Sequence, residues 1–269
     1  MTFLNTSLIR KLILFLAAAM LSVSAMAADF NQTQSWANQG IAEAQFNLGL
    51  MYDQGEGVLQ DYSKAVQWYE KAANQGLAAA QNSLGSMYNQ GEGVLQDYSK
   101  AFEWYEKAAN RGDADAQFSL GTKYEKGEGV RQDYAKAIQW IQKAANQGNA
   151  SAQHNLGSMY SLGEGVRQDY FKARQWYEKA ANQGNTSSQN ILGVMYERGE
   201  GVRQDYTKAR QWYEKSANQG DAKAQYNLGL MYYKGEGVRQ NKATAKEWFG
   251  KACDNGNQAG CDEYKNLNQ

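Results

Sequence analysis

The chain has 269 residues, enough for one large domain or two small ones. Its 28 Lys and Arg residues balance 28 Asp and Glu residues, and this lack of a basic excess argues against a nucleic-acid-binding protein. One His and two Cys are too few for a zinc site without carboxylate ligands. A hydrophobic fraction of 42% with 12% aromatic residues excludes a disordered chain.

Residues 1–27 have the pattern of a secretory signal peptide. Arg10 and Lys11 precede an apolar stretch, and Ala25-Met26-Ala27 is a small-x-small cleavage site. The alternative is an uncleaved membrane anchor, which needs roughly 20 apolar residues, whereas this stretch has about ten. Cleavage would leave a mature chain without a membrane-inserted segment, and we expect it in the periplasm or secreted. Such compartments permit disulfide bonds.

A unit of 36 residues recurs six times between residues 40 and 255, and this repetition is the strongest signal in the sequence. The string Gly-Glu-Gly-Val begins at Gly55, Gly91, Gly127, Gly163, Gly199 and Gly235. Tryptophan follows the same step, at Trp68, Trp104, Trp140, Trp176, Trp212 and Trp248. The chain therefore consists mainly of one small structural unit, copied in tandem.

Each unit has the pattern of two helices. Apolar residues spaced three and four apart predict helix A over about residues 41–53 and helix B over about residues 61–74 of the first unit. The apolar faces comprise Ala44, Leu48, Met51 and Tyr52 in helix A, and Ala65, Trp68, Tyr69 and Ala72 in helix B. Asp61 is a good N-cap for helix B, and a glycine inside helix A, Gly49, suggests a close approach of two helices. Neither helix buries its apolar face alone, so neighbouring units must stack.

The unit closely resembles the Sel-one-like repeat, a relative of the tetratricopeptide repeat with a longer unit. The resemblance rests on Ala-x-Ala-Gln-x-x-Leu-Gly-x-Met-Tyr, followed by Gly-Glu-Gly-Val, Gln-Asp-Tyr and Trp-Tyr-Glu-Lys-Ala-Ala-Asn-Gln-Gly. It implies an all-α fold, a right-handed α-solenoid of six 36-residue helix-turn-helix repeats with capping helices. It also implies that helix A lines the concave face, and that such proteins serve as adaptors or scaffolds without a catalytic centre.

The two ends depart from the repeat pattern. Residues 28–39 keep only the end of a helix B and are expected to form an N-terminal cap helix, with Trp36 covering the core. Residues 256–269 resemble a lone helix A in which Lys265 replaces the repeat glycine, so we expect a polar C-terminal cap helix. Because both ends look capped, we expect a monomer.

Cys253 and Cys261 lie in the last helix B and in the helix A that follows it. Their spacing looks like that of the cysteine-rich Hcp branch of the family, where such a pair joins adjacent helices. The resemblance therefore implies a disulfide between Cys253 and Cys261. Two free buried thiols, or a redox-active pair, are the alternatives.

No set of residues in the sequence indicates catalysis. Gly-Glu-Gly-Val lacks the remaining residues of a phosphate-binding loop and is interpreted as a repeat turn. Its glutamates form a regular row that we expect to be solvated or paired with Lys or Arg, with cation binding as the alternative. His154 lacks an identifiable nucleophile and orienting partner, and Ser-x-x-Lys does not occur. We therefore predict no catalytic, metal or cofactor site.

The positions that differ between otherwise similar repeats are the best candidates for binding. By analogy with tetratricopeptide repeats, the helix-A positions equivalent to 43, 46, 50, 53 and 54 should face the concave groove, and two of them, 46 and 54, carry the candidate residues. One position holds Phe46, Asn82, Phe118, His154, Asn190 and Tyr226, and the basic members of the other are Lys126, Arg198 and Lys234. Aromatic anchors with Asn and basic neighbours suit a peptide or protein partner, and drift at unconstrained sites is the alternative. A further position changes from Leu59 and Leu95 to Arg131, Arg167, Arg203 and Arg239, an edge that is either solvated or a second binding surface.

These observations predict a secreted or periplasmic, non-enzymatic scaffold that binds another protein or peptide through the concave face. One alternative is an immunity or inhibitor protein against an envelope-targeted toxin, since Sel-one-like proteins occur in such roles. A weaker alternative, linked to the cysteine-rich branch, is a β-lactamase-like or cell-wall-active enzyme. No nucleic-acid partner is expected.

Overall fold

The structure, a computed structural model, describes residues 29–268. The predicted signal peptide lies outside the described residues. Helical residues 29–38 form α1, and thirteen further helices follow within the described part of the chain. They are α2 (Ala42–Gln54), α3 (Tyr62–Asn74), α4 (Ala78–Gln90), α5 (Tyr98–Asn110), α6 (Ala114–Lys126), α7 (Tyr134–Asn146), α8 (Ala150–Leu162), α9 (Tyr170–Asn182), α10 (Thr186–Arg198), α11 (Tyr206–Asn218), α12 (Ala222–Lys234), α13 (Lys242–Asp254) and α14 (Gln258–Asn266).

The helices alternate in the predicted order. The even-numbered helices α2 to α12 are the helices A of the six repeats, and the odd-numbered helices α3 to α13 are the helices B. In the 36-residue register, α1 corresponds to a helix B and α14 to a helix A. The prediction of an all-α solenoid of six helix-turn-helix repeats is confirmed. The described residues divide into two compact units, 29–132 and 133–268, each with its own buried core.

Local signals in the sequence explain where the helices begin and end. Asp61 precedes α3, and its carboxylate accepts a hydrogen bond from the backbone N–H of Lys64 at 3.0 Å, as predicted for an N-cap. Gly55 ends α2 in the left-handed conformation, with a φ of 74°. A side chain at this position would be strained, which explains why each repeat turn starts with glycine.

In five of the six repeats, helices A and B approach each other closely because a glycine in helix A faces an aromatic ring in helix B; the third repeat has Ile141 in place of the ring. A Cβ atom on Gly49 would lie 2.6 Å from Cδ1 of Tyr69. Tyr69 is fully buried. Trp68 was predicted to lie on the buried face of helix B. It packs against the core but is only partly buried. The ammonium group of Lys71 lies 3.6 Å from the centre of the Trp68 ring, at the helix surface.

Buried glutamine side chains join helix A to the helix B before it, as Gln81 of the second repeat does with Ala73 of the first, and they also bond to the end of the following helix B. The Nε2 of Gln45 donates to the carbonyl oxygen of Ala37 at 3.2 Å, and the Oε1 of Gln45 accepts a hydrogen bond from Gln75 at 2.7 Å. The same arrangement recurs with Gln153 and Gln183, at 2.8 Å. These bonds satisfy polar groups that burial would otherwise leave unpaired.

The C-terminal end of the described chain carries the disulfide implied by the resemblance. Cys253 in α13 and Cys261 in α14 are bonded, with their Cα atoms 4.5 Å apart, so this prediction is confirmed. At the other end, Trp36 of α1 is 47% exposed, and its role as an N-terminal cap stays a prediction.

Candidate binding surface

The outward side of the helices A, hereafter the helix-A face, carries the residues predicted to bind a partner. In the first unit these are Phe46, Asn82, Phe118 and Lys126; in the second they are His154, Asn190, Tyr226, Arg198 and Lys234. The first position of each repeat is half-buried, and the second is exposed. The residues at the first position are therefore less accessible to a partner than those at the second position, although both sets lie on the helices A.

The half-buried position is built against the core of its own repeat. Phe46 packs on Tyr69 with 5.7 Å between ring centres, and Tyr226 packs on Phe249 at 5.6 Å. His154 packs on Tyr177 in the same way, at 5.6 Å. Each ring thus has one face on the core and one edge toward solvent. Such rings are held rigidly, as recognition anchors are.

A cavity of about 330 Å³ opens on the helix-A face of the second unit. It brings together two predicted residues, His154 and Asn190, and does not include Tyr226. Ile191 supplies an apolar wall, while Asp221 and Lys223 lie at the start of α12. The cavity therefore combines an imidazole, an amide, an aliphatic surface and both signs of charge within one concave site.

His154 has a polar partner that the sequence reasoning missed. Its Nδ1 lies 2.8 Å from the hydroxyl oxygen of Ser188, on the helix A of the next repeat. Ser188 is fully buried and stands where the other repeats have alanine. Partial burial lowers the pKa of His154 below its usual value of 6.5, which favours the neutral imidazole at pH 7. The departure of Ser188 from the alanine pattern was the available sequence signal.

The predicted basic residues of the second unit lie beside the glutamate row of the repeat turns. Arg198 is 3.7 Å from Glu200, and Lys234 is 3.8 Å from Glu236. Both basic side chains are at least half-exposed, so these pairs are weak and can exchange partners. The expectation that the glutamates are solvated or paired with Lys or Arg holds at these two turns.

Lys123 is a buried charged residue that the sequence reasoning also missed. It occupies the position that is methionine in the other five repeats, and its side chain is 5% exposed. The ammonium group donates to Asn89 and to Glu128, and it lies 4.4 Å from the ring centre of Tyr98. The hydrogen bond from Lys123 lowers the pKa of Glu128. A lysine at a register position that otherwise holds methionine was the sequence signal that could have revealed this polar contact between repeats.

The edge formed by the repeat turns is strongly exposed. Leu59 and Leu95 of the first unit are 88% and 90% exposed. Arg131 in the first unit, and Arg167, Arg203 and Arg239 in the second, are exposed at the same register position. This edge is therefore a second accessible surface.

Between residues 29 and 268, no group of three or more His, Cys, Asp or Glu side chains is placed to hold a metal ion. In the same part of the chain, every helix is too short or too polar to cross a bilayer.

Comparisons with known proteins agree with this architecture. The protein-family model of the Sel1 repeat matches residues 42–77, 78–113, 114–149, 150–185, 186–221 and 222–257. No curated protein matches the chain at a significant level.

Several solved structures are similar to this chain. One is c5321, a protective antigen present in uropathogenic Escherichia coli strains and displaying an SLR fold, with 41% identity and a TM-score of 0.84. That match covers 88% of this chain and 51% of the other, so this chain spans about half the length of the antigen. A Sel1 repeat protein from Oxalobacter formigenes has 31% identity and a TM-score of 0.72, covering 86% of this chain and 96% of that chain. Helicobacter pylori cysteine rich protein B has 30% identity over 49% of this chain and 94% of that chain, with a TM-score of 0.40.

The six consecutive matches cover most of the chain, and they coincide with the helix pairs of the structure. Stacked helix pairs of this kind form scaffolds that are suited to protein–protein interaction. The chain belongs to the Sel1 repeat family.

Proposed function

We propose that this protein is a secreted or periplasmic, non-enzymatic scaffold that binds another protein or peptide through its helix-A face. The observation that carries the proposal is the cavity beside His154 and Asn190, which lie at a register position that varies between the repeats. A half-buried ring next to an aliphatic wall and charges of both signs form the type of patch that holds a protein segment.

The chemistry around His154 favours binding over catalysis. An acyl-transfer site needs a nucleophile that the substrate can reach. The hydroxyl next to His154 belongs to Ser188, which has no exposed surface. The pair therefore holds the imidazole in place and is unsuited to attack an external substrate.

Two features support placement outside the cytoplasm. The disulfide between Cys253 and Cys261 is typical of oxidising compartments. The likeness to a protective antigen points the same way. A scaffold of this kind would act as a monomer in the periplasm or in the medium, without a nucleic-acid partner.

The test compares capture of partners by two groups of variants. The mature chain from Ala28 is used as bait in a cell-envelope extract, and captured proteins are identified by mass spectrometry. The face variant carries Phe118→Asn, His154→Asn and Tyr226→Asn. Asparagine already occupies this register position at Asn82 and Asn190, so we expect the fold to be kept. We expect one protein to be captured by the wild type and lost by the face variant.

The control is an edge variant with Arg167→Gln, Arg203→Gln and Arg239→Gln, which should capture the same protein as the wild type. Circular dichroism of each variant checks the fold. Loss of capture in the edge variant alone would show that the partner binds the edge formed by the repeat turns and not the helix-A face. Capture of a toxin would identify the partner class as that of an immunity protein. Turnover of nitrocefin by the purified chain above buffer would contradict the proposal.

A further inference from the structure

A second candidate surface lies between α1 and α2, at the N-terminal end of the described chain. The groove there, hereafter the N-terminal slot, has a volume of about 480 Å³. One wall consists of Asp29, Thr33 and Trp36 of α1, and the other includes Glu43 and Met51 of α2. All these residues belong to the first compact unit.

The 36-residue register identifies what such a slot accepts. Asp29, Thr33 and Trp36 correspond to Ala65, Tyr69 and Ala72 in the helix B of a complete repeat. Those three residues are fully buried in α3. In α1, by contrast, Asp29 is exposed and Trp36 is 47% exposed, and only Thr33 between them is buried. The slot thus exposes part of a helix-B surface that is buried in a complete repeat.

Complete repeats of the same chain show the element that closes this surface. It is a helix A of 13 residues whose glycine packs on the ring of helix B. In the second repeat, a Cβ atom on Gly85 would lie 2.7 Å from Cδ1 of Tyr105. The same helix also touches the helix A that follows, as His154 touches Ser188. In the slot, α1 and α2 supply these two walls. The geometry therefore fits one further amphipathic helix.

The charges lining the slot indicate the composition of that helix. Asp29, Glu43 and Glu56 line the slot and are exposed, and no Lys or Arg is among the lining residues. None of the three carboxylates forms an ion pair with a described residue. Trp36 and Ile41, which is 43% exposed, provide apolar contact between these charges. An acidic rim around an apolar floor complements a helix with an apolar stripe and basic flanks.

We propose that the N-terminal slot binds a basic amphipathic helix of another protein, which completes the open repeat. This surface is separate from the helix-A cavity beside His154, so it adds a second docking point to the scaffold. Binding would depend on charge as well as shape, and it would weaken as salt screens the exposed carboxylates.

Two peptides taken from the chain itself provide matched probes. The peptide of α12, residues 222–234, carries Lys223 and Lys234 and no carboxylate side chain. The peptide of α2, residues 42–54, has the same length and pattern but carries Glu43 and Asp53 and no basic side chain. Both are made with blocked ends and a fluorescent label, and their binding to the chain from Ala28 is measured by fluorescence anisotropy. We expect the basic peptide to bind about tenfold more tightly than the acidic peptide, and to weaken in high salt.

The site is localised by substitution and by NMR. Glu43→Lys changes the rim from three negative charges to two negative charges and one positive charge, so it should reduce the preference for the basic peptide, and the fold tolerates lysine here because Lys223 has the same register position. Asp115→Lys, at that position in the third repeat, is the matched control and should leave the preference unchanged. The indole N–H signal of Trp36, assigned from Trp36→Phe, should shift when the basic peptide is added.

Three results would overturn the proposal. Equal binding of the two peptides would exclude charge complementarity as the basis of recognition. A Trp36 signal that does not move in the presence of bound peptide would place binding elsewhere. A doubled mass in light scattering that Glu43→Lys abolishes would assign the slot to a second copy of the chain.

Discussion

Single substitutions within a nearly constant repeat create the distinctive chemistry of this molecule. His154 stands where two other repeats have asparagine, and Ser188 stands where the others have alanine. The two side chains lie 2.8 Å apart on neighbouring helices A. Together they place an imidazole on the wall of the helix-A cavity without disturbing the register of either helix.

The half-buried imidazole makes stability depend on pH. Because burial lowers the pKa of His154 in the folded chain, the unfolded chain takes up the proton first as the pH falls. The stability associated with neutral His154 is therefore present above about pH 6.5 and is lost below it. His154→Asn removes the titrating group while keeping a residue that this position accepts at Asn190.

We expect the free energy of unfolding of the wild type to fall more steeply than that of His154→Asn between pH 7.5 and 5. Urea unfolding followed by circular dichroism at a series of pH values measures the difference. Parallel curves for the two proteins would show that His154 keeps an ordinary pKa in the folded chain.

The sequence identified the positions of the candidate site better than their contacts. The register assigned His154 and Asn190 to the same position of two helices A, and both line the cavity. It did not reveal the burial of Lys123 or the contact of His154 with Ser188, because both arise between neighbouring repeats. The disulfide of Cys253 and Cys261 followed from the resemblance to the cysteine-rich branch, in which such a pair joins adjacent helices.

At the scale of helices, the fit between glycine and an aromatic ring sets the distance between helix A and helix B. Glycine inside a helix costs about 1 kcal/mol of stability relative to alanine, so an isolated helix A would be more stable with alanine in place of its glycine. The repeat keeps glycine because the ring of helix B occupies the space of a Cβ atom. Helix bounds were predicted to within one residue in the first repeat because Asp61 and Gly55 mark them locally.

Gly85→Ala tests this fit. A Cβ atom there would lie 2.7 Å from Cδ1 of the buried Tyr105, so we expect a loss of about 1–3 kcal/mol in the free energy of unfolding. Gly250→Ala is the matched control. Its Cβ atom would lie 3.2 Å from a carbon of Tyr264, which is 38% exposed and can move, so this variant should be neutral or stabilised by up to about 1 kcal/mol.

Chemical denaturation of both glycine variants and the wild type measures the two effects. Equal losses at Gly85 in helix A and Gly250 in helix B would mean that the cost of alanine at Gly85 does not come from the contact with Tyr105.

At the scale of the whole molecule, the repeats form a chain of similar modules whose stability is shared between neighbours. The junction after each repeat has the same register, because each helix A begins 36 residues after the previous one. The fold should therefore tolerate a change in the number of repeats. It should not tolerate a change that breaks the alternation of helix A and helix B.

Excision of residues 78–113, one complete repeat, should leave a cooperatively folded protein. Leu77 would then join Ala114 in register, and Lys123 would face Asp53 in place of Asn89. We expect unchanged helicity per residue, and a denaturant m-value smaller by about one sixth, because less surface is exposed on unfolding. Circular dichroism with urea titration measures both quantities.

A half-repeat excision, residues 78–95, is the control for phase. It removes α4 with its turn and joins two helices B, so we expect loss of the folded state. A folded half-repeat variant would contradict the requirement for helix alternation.

The buried glutamines that join the repeats have a consequence for the conditions in which the protein holds together. Gln81 of the second repeat, for example, donates to the carbonyl oxygen of Ala73 in the first repeat, and Gln117 donates in the same way to Ala109. Amides are neutral, so these bonds between repeats respond neither to ionic strength nor to titration. The carboxylates of the proposed N-terminal slot are exposed and do respond, so raised salt should weaken a bound partner while the glutamine bonds persist.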